Sequence, residues 1–164
     1  MTDVRIVQIV TPEVVTLDWL LTPAGELDDT QELATAVTVA LGTDRLALAA
    51  DTLPDPNDND RRGWWGDLDA EVLHDGWPIG TRLWLMVRDK ITGPEARQGS
   101  TIARAEEFAR EALQPLIDRR VAARLSVRAS RTDTGRIDLL ARLDRGPLPA
   151  IELRYADLWN EIGA

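Results

Sequence analysis

The sequence contains no cysteine and a single histidine, His74, in 164 residues. Without thiols there can be no disulfide, no thiolate metal site and no cysteine nucleophile. A Ser-His-Asp site needs a histidine oriented by an acid and facing a serine. His74 stands in "LHDGW" beside Asp75, with no serine motif nearby. No apolar run approaches the roughly 20 residues that cross a bilayer. The opening "MTDVRIVQIVTPEV" lacks a basic leader and a cleavage signal, so the expectation is a soluble protein made in the cytoplasm, without membrane partners. A phosphate-cradling loop is also missing, since neither "GTDRLA" nor "GPEARQGST" has the GxxxxGK[ST] order. The loop "DPNDNDRRGWWG" begins as a calcium loop does, with Asp55, Asn57 and Asn59 at positions one, three and five. It then places Asp60 where glycine is needed and Gly66 where a bidentate glutamate is needed. Neither metal nor cofactor is expected.

Lysine is scarce too: of 19 basic residues only Lys90 is one. Arginine suits interface ion pairs and stacking on aromatic rings better than lysine does. The net charge of −9 is unevenly spread. Residues 1–80 carry 4 basic against 16 acidic side chains (−12), and residues 81–164 carry 15 against 12 (+3). This split favours complementary contacts, within one chain or between chains.

With 44% hydrophobic residues, the chain can bury a core as one domain with an arm. Residues 4–21 are β-branched-rich and broken by Pro12, predicting an extended arm or one to two short strands over 1–29. Leu33, Val37, Ala40 and Leu41 fall at helical spacing after a Thr30 cap. Residues 51–60, with two prolines, two asparagines and four aspartates, are loop, and residues 67–80 read as an irregular link. "TRLWLMVR" (81–88) alternates as a strand would but is compatible with a helix. From Ser100 or Thr101 a helix places Ile102, Ala105, Ala109, Ala112, Leu113 and Leu116 on one stripe, until Pro115 kinks or ends it. "RLSVRAS", "RIDLLARLD" and "AIELRY" then alternate as three strands, the first two joined by the turn "TDTG". The predicted class is α+β: a small antiparallel sheet packed against a long amphipathic helix, with an extended N-terminal arm and a single domain over 30–164.

Two kinds of chemistry remain to be weighed. Glu106, Glu107 and Glu111 could supply carboxylates for glycoside hydrolysis, but they occupy the polar side of the helix, which is where acids ordinarily stand. Arg119, Arg120, Arg124, Arg128, Arg131 and Arg136 could line an edge for nucleic acid, but interspersed acids and the overall negative charge oppose attraction to phosphate. The aromatic signal is stronger. Trp64, Trp65, Trp77 and Trp84 lie within 21 residues, and tryptophan and arginine dominate binding hot spots. Two adjacent tryptophans cannot both enter one small core. One ring of Trp64/Trp65 is expected to point inward, and the other towards a partner or under Arg61 or Arg62, with Gly63 and Gly66 allowing the sharp turn.

The order "LATAVTVALGTDRLA", "DTLPD", "DRRGWWGD", "IGTRLWLMVRDK", "ARAEEFAREALQPLIDRRVAARLSVRA" resembles the tail baseplate proteins of Mu-like contractile phages, the family of gene product forty-six of phage Mu. That group is similar in turn to the small, lysozyme-like wedge subunit of T4-like baseplates. The resemblance runs from about Asp18 to Leu143. It implies a structural, non-enzymatic virion part that joins larger wedge proteins and offers an edge where the tail sheath begins. The characteristic positions are Arg61, Arg62, Gly63, Trp64, Trp65, Gly66, Asp67, Arg82, Leu83 and Trp84. Of these, Arg61, Arg62, Trp64, Trp65, Asp67, Arg82 and Trp84 are the candidate protein-interface residues. No catalytic residue carries over. The chain departs from the pattern at Gly42, where an aromatic is expected. The alternative reading is a peptidoglycan-cleaving lysozyme-like glycosidase.

Overall fold

Period-two alternation over residues 124–158 builds the main sheet. In the computed structural model, which describes residues 4–11, 14–27, 32–73, 75–89, 99–133 and 136–158, strands β3 (Arg124–Asp133), β4 (Arg136–Arg145) and β5 (Leu148–Leu158) pair antiparallel in the order β3-β4-β5. The remaining elements are β1 (Ile6–Val10), β2 (Val15–Trp19), α1 (Glu32–Gly42), a 3₁₀ turn (Trp65–Asp69), the short α2 (Ala70–Leu73), a second 3₁₀ turn (Leu83–Met86) and α3 (Ser100–Asp118). The class is α+β, as expected. Thr30, His74, Lys90, Thr134, Gly135 and most of "GPEARQG" lie outside the described residues, and so do the cap and turn expected there.

Leu143 faces Leu125 and Ile151, and Leu139 faces Ala129 and Tyr155, so one sheet face is continuous hydrocarbon. Ile137, Leu139, Ala141 and Leu143 are all fully buried. Against this face α3 lays Ala105, Phe108, Ala109, Ala112, Leu113 and Leu116, all buried, at the three-and-four spacing that keeps a helical stripe on one side. Full burial of one such leucine contributes about 1.5–3 kcal/mol. Two sequence expectations fail here. The N-cap of α3 is Gly99 in a left-handed conformation (φ 79), not Ser100 or Thr101. Pro115 does not stop the helix, which runs on to Asp118. The proline falls in the last turn, where little helix remains to disrupt, and the buried Leu113 and Leu116 hold that turn on the sheet.

Helix α1 packs on α3 and on β5, burying Val37, Ala40 and Leu41. The β1–β2 hairpin docks on α1 through Thr35, whose hydroxyl accepts from the Ile6 N–H (3.1 Å) and donates to the Val4 carbonyl (2.9 Å). Gly42, the departure from the family pattern, is a point of close approach. A Cβ there would lie 3.2 Å from the Leu17 side chain and 3.6 Å from the Tyr155 hydroxyl, so a larger residue would require Leu17 to shift.

Residues 81–88 form neither the alternating strand nor the regular helix the sequence suggested. Leu83, Trp84, Leu85 and Met86 are all buried in the second 3₁₀ turn. This segment is tied to the end of α1 by paired main-chain bonds, Arg45 N–H to Thr81 O (3.0 Å) and Thr81 N–H to Thr43 O (2.9 Å). Gly80 permits that pairing: it has φ 109, and a Cβ on it would stand 2.6 Å from the Thr43 carbonyl.

Candidate functional site

The segment "DRRGWWGD" runs along the side of this body, and its arginines act differently from one another. Arg61 turns back on Ala47, donating from its side chain to the Ala47 carbonyl and accepting the Ala47 N–H on its own carbonyl (3.0 Å). Arg62 has a left-handed backbone (φ 51), supported by an Asp60 carboxylate that accepts its N–H (2.8 Å). Its guanidinium lies 4.7 Å from the centre of the Trp84 ring and 2.6 Å from Asp44 Oδ2. The ring under Arg62 is thus Trp84, not one of the Trp64/Trp65 pair. Trp84 is buried, and its indole N–H donates to the Arg45 carbonyl at 2.8 Å.

Arg82 is the centre of an ion network. Its Nε and Nη2 both reach Glu111 Oε2 (3.0 and 2.6 Å), and its Nη1 reaches both oxygens of Asp51 (2.7 and 3.0 Å). Arg45 takes the other Glu111 oxygen at 3.3 Å, and the Phe108 ring lies 4.7 Å from the Arg82 guanidinium. Burial works to lower the Arg82 pKa, but the bonds to Glu111 and Asp51 outweigh it and the net shift is upward. Arg82 and Trp84, both taken from the sequence as interface residues, are therefore engaged inside the chain, where they join residues 45, 51 and 111.

Trp64 and Trp65 diverge. Their ring centres are 5.3 Å apart and their planes are tilted by 50°. The Trp64 ring lies over Gly66, where any Cβ would collide with it, and Gly66 is buried. Trp65 points outward and is 78% exposed. Asp67 accepts the Ile79 N–H at 3.0 Å, pinning the 3₁₀ turn to the chain that follows. Sequence reasoning missed Leu68 and Val72, which are 89% and 83% exposed on the same turn and on α2. Their signal was present as apolar residues three and seven positions after Trp65 in an otherwise acidic stretch.

Two of the three carboxylates considered for glycoside hydrolysis are occupied structurally, and the third, Glu107, is exposed. Glu106 accepts the Ala129 N–H (2.9 Å) and Glu111 belongs to the arginine network. A cleft of about 210 Å³ between Asp55, Asp58, Asp60, Arg62, Trp84 and Arg88 is crossed by the Arg88–Asp55 ion pair (3.1 Å). Among the described residues, no group of three or more His, Asp or Glu side chains is placed to hold a metal, and no helix is long and apolar enough to cross a membrane. This arrangement braces a loop and presents an apolar surface.

Comparison with known proteins assigns the chain to a phage protein family. The family described as "Phage protein GP46" matches residues 33–146, and the chain belongs to it. The chain is 46% identical over 103 residues to "Baseplate protein gp46" of Escherichia phage Mu, a match covering 63% of each chain and so less than two thirds of that relative's length. No solved structure matches the chain.

Proposed function

We propose that the protein is a non-enzymatic structural subunit of a contractile-tail baseplate, in the virion, where it joins larger wedge proteins and contacts the sheath. The observation that carries this reading is the 46% identity to a protein named as a baseplate component. The geometry supports it. An ion network fixes the middle of the chain, and the chain presents Trp65 outward where folding alone would hide it. A second apolar surface, the β1–β2 hairpin, leaves Ile9, Leu17 and Trp19 exposed (Trp19 65%). Its two-stranded ribbon can pair with a neighbour's free strand edge.

Co-expression with the tail proteins encoded beside it tests the proposal. A stable complex with at least one of them, surviving size-exclusion chromatography, is the expected result. A chain that stays monomeric with every one of them refutes it. Clearing of a peptidoglycan suspension, abolished by substituting individual carboxylates, would favour the glycosidase instead.

A further inference from the structure

Residues 65–73 form an amphipathic segment turned inside out. On the inner side are Gly66, buried beneath Trp64, and Asp67, bonded to Ile79, together with a half-buried Ala70. On the outer side are Trp65, Leu68 and Val72, between 78% and 89% exposed. The backbone puts these three in line. The 3₁₀ turn, at three residues per turn, stacks Leu68 over Trp65. The α-helical turn that follows advances 3.6 residues per turn and brings Val72, four further on, onto the same line. A stripe at i, i+3, i+7 is the anchor pattern of a helix that lies in a partner's apolar groove.

The surroundings of the stripe state what the groove's rim must carry. Residues 65–76 include Asp67, Asp69, Glu71 and Asp75 and neither lysine nor arginine. Asp69 is exposed and the Asp75 side chain is 90% exposed, held beside α2 by the Gly76 N–H bond to the Ala70 carbonyl (2.9 Å). Arg119 meets Asp75 as well, its Nη1 3.5 Å from the carboxylate and its Nη2 donating to the Asp75 carbonyl at 3.2 Å. A second copy of this chain is a poorer receptor. Its exposed apolar hairpin (Ile9, Leu17, Trp19) belongs to a stretch, residues 4–27, that carries Glu13, Asp18 and Glu26 with Arg5 as its one basic residue. Its arginine-rich outer sheet face exposes Leu140 alone among large apolar residues of β4, to 38%.

We infer that Trp65, Leu68 and Val72 are the docking ridge of this subunit, seated in an apolar groove of a different baseplate protein whose rim carries arginine or lysine. This rests on the baseplate reading above and specifies its contact. The apolar ridge supplies affinity, and the acids fix orientation and speed encounter.

The test uses the full chain and whichever neighbouring tail protein co-purifies with it. Leu68→Ser and Val72→Ser, made together, should leave the melting temperature unchanged, because neither side chain is covered in the free chain. The pair should weaken the complex at least tenfold, and Asp69→Lys with Asp75→Lys should weaken it and flatten its salt dependence. If wild type binds no neighbour, the baseplate reading fails. If wild type binds and the Leu68/Val72 variant binds equally well, the reading stands and the ridge is wrong. Binding indifferent to salt and to the Asp69/Asp75 variant overturns the basic rim. Concentration-dependent self-association lost in the ridge variant would make the occupant a second copy, and flotation with neutral phosphatidylcholine vesicles would make it a membrane. Either outcome overturns the proposal.

Discussion

Removing the Arg82 guanidinium takes the ionic partner from Asp51, which keeps the Leu48 N–H (2.7 Å), and leaves Glu111 with Arg45. The Arg82 side chain is 11% exposed, Asp51 16% and Glu111 31%, so water restores only part of what Arg82→Ala takes away. Truncating one member of a well-buried pair costs about 3–5 kcal/mol, because its partner is left charged and unpaired. Arg45 still holds one oxygen of Glu111, and Glu111 is partly wet, which places the loss at the low end, about 3 kcal/mol. For a chain of this length that corresponds to a fall in melting temperature of about 6–12 °C. Arg82→Lys keeps the charge but not the fork that spans Asp51 and Glu111 together, and should lose roughly half as much. Urea unfolding followed by far-ultraviolet circular dichroism measures both variants. A loss below about 1 kcal/mol for Arg82→Ala, or an Arg82→Lys variant as damaged as Arg82→Ala, would refute the network as a brace for the middle of the chain. Partner affinity, measured well below the melting point, should be unchanged by Arg82→Lys, since the guanidinium faces inward.

The paired tryptophans should separate in the same assays: Trp64→Ala lowers the melting temperature, whereas Trp65→Ala stays within about 0.5 kcal/mol of wild type and weakens partner binding. Equal loss of stability with unchanged binding would make the pair a purely internal feature. Gly66→Ala drives a methyl group into the Trp64 ring and should cost about 1–3 kcal/mol, with an altered near-ultraviolet tryptophan signal. Asp55 should titrate below the ordinary aspartate range, chiefly because the Asn57 N–H donates to it at 2.9 Å and secondarily because Arg88 is near. With the folded value depressed, its contribution to stability is present above the unfolded pKa and lost as pH falls through the folded one. Carboxyl carbon NMR on wild type and Asn57→Pro checks this, with the variant expected to move back towards the ordinary value.

The helix-on-sheet body was readable because its burial follows simple periods. In β4 the residues at 137, 139, 141 and 143 are buried and those at 140 and 142 exposed, with the buried Asp138 breaking the alternation, and the stripe of α3 repeats every three or four positions. Around residues 81–88 no period exists to be read, because all four residues of a tight turn are enclosed at once, and a short apolar run looks the same for strand and helix. The internal contacts of the arginines were unreadable for a different reason. Nothing local distinguishes Arg82, which meets acids 29 and 31 positions away, from Arg62, which is exposed over a ring. Leu68 and Val72 were overlooked because residues 67–80 looked like connecting chain. Their helical phase becomes visible only once the 3₁₀ turn beginning at Trp65 is known.

Since the free chain leaves Trp65, Leu68 and Val72 almost wholly in solvent, selection for folding is nearly blind to them. Mutation can exchange these side chains without harming the molecule on its own, so whatever restrains them over evolutionary time must lie outside it. Across relatives, substitutions at positions 65, 68 and 72 would then trace the history of an opposing surface, while those at 113, 137 and 139 would trace the history of the fold.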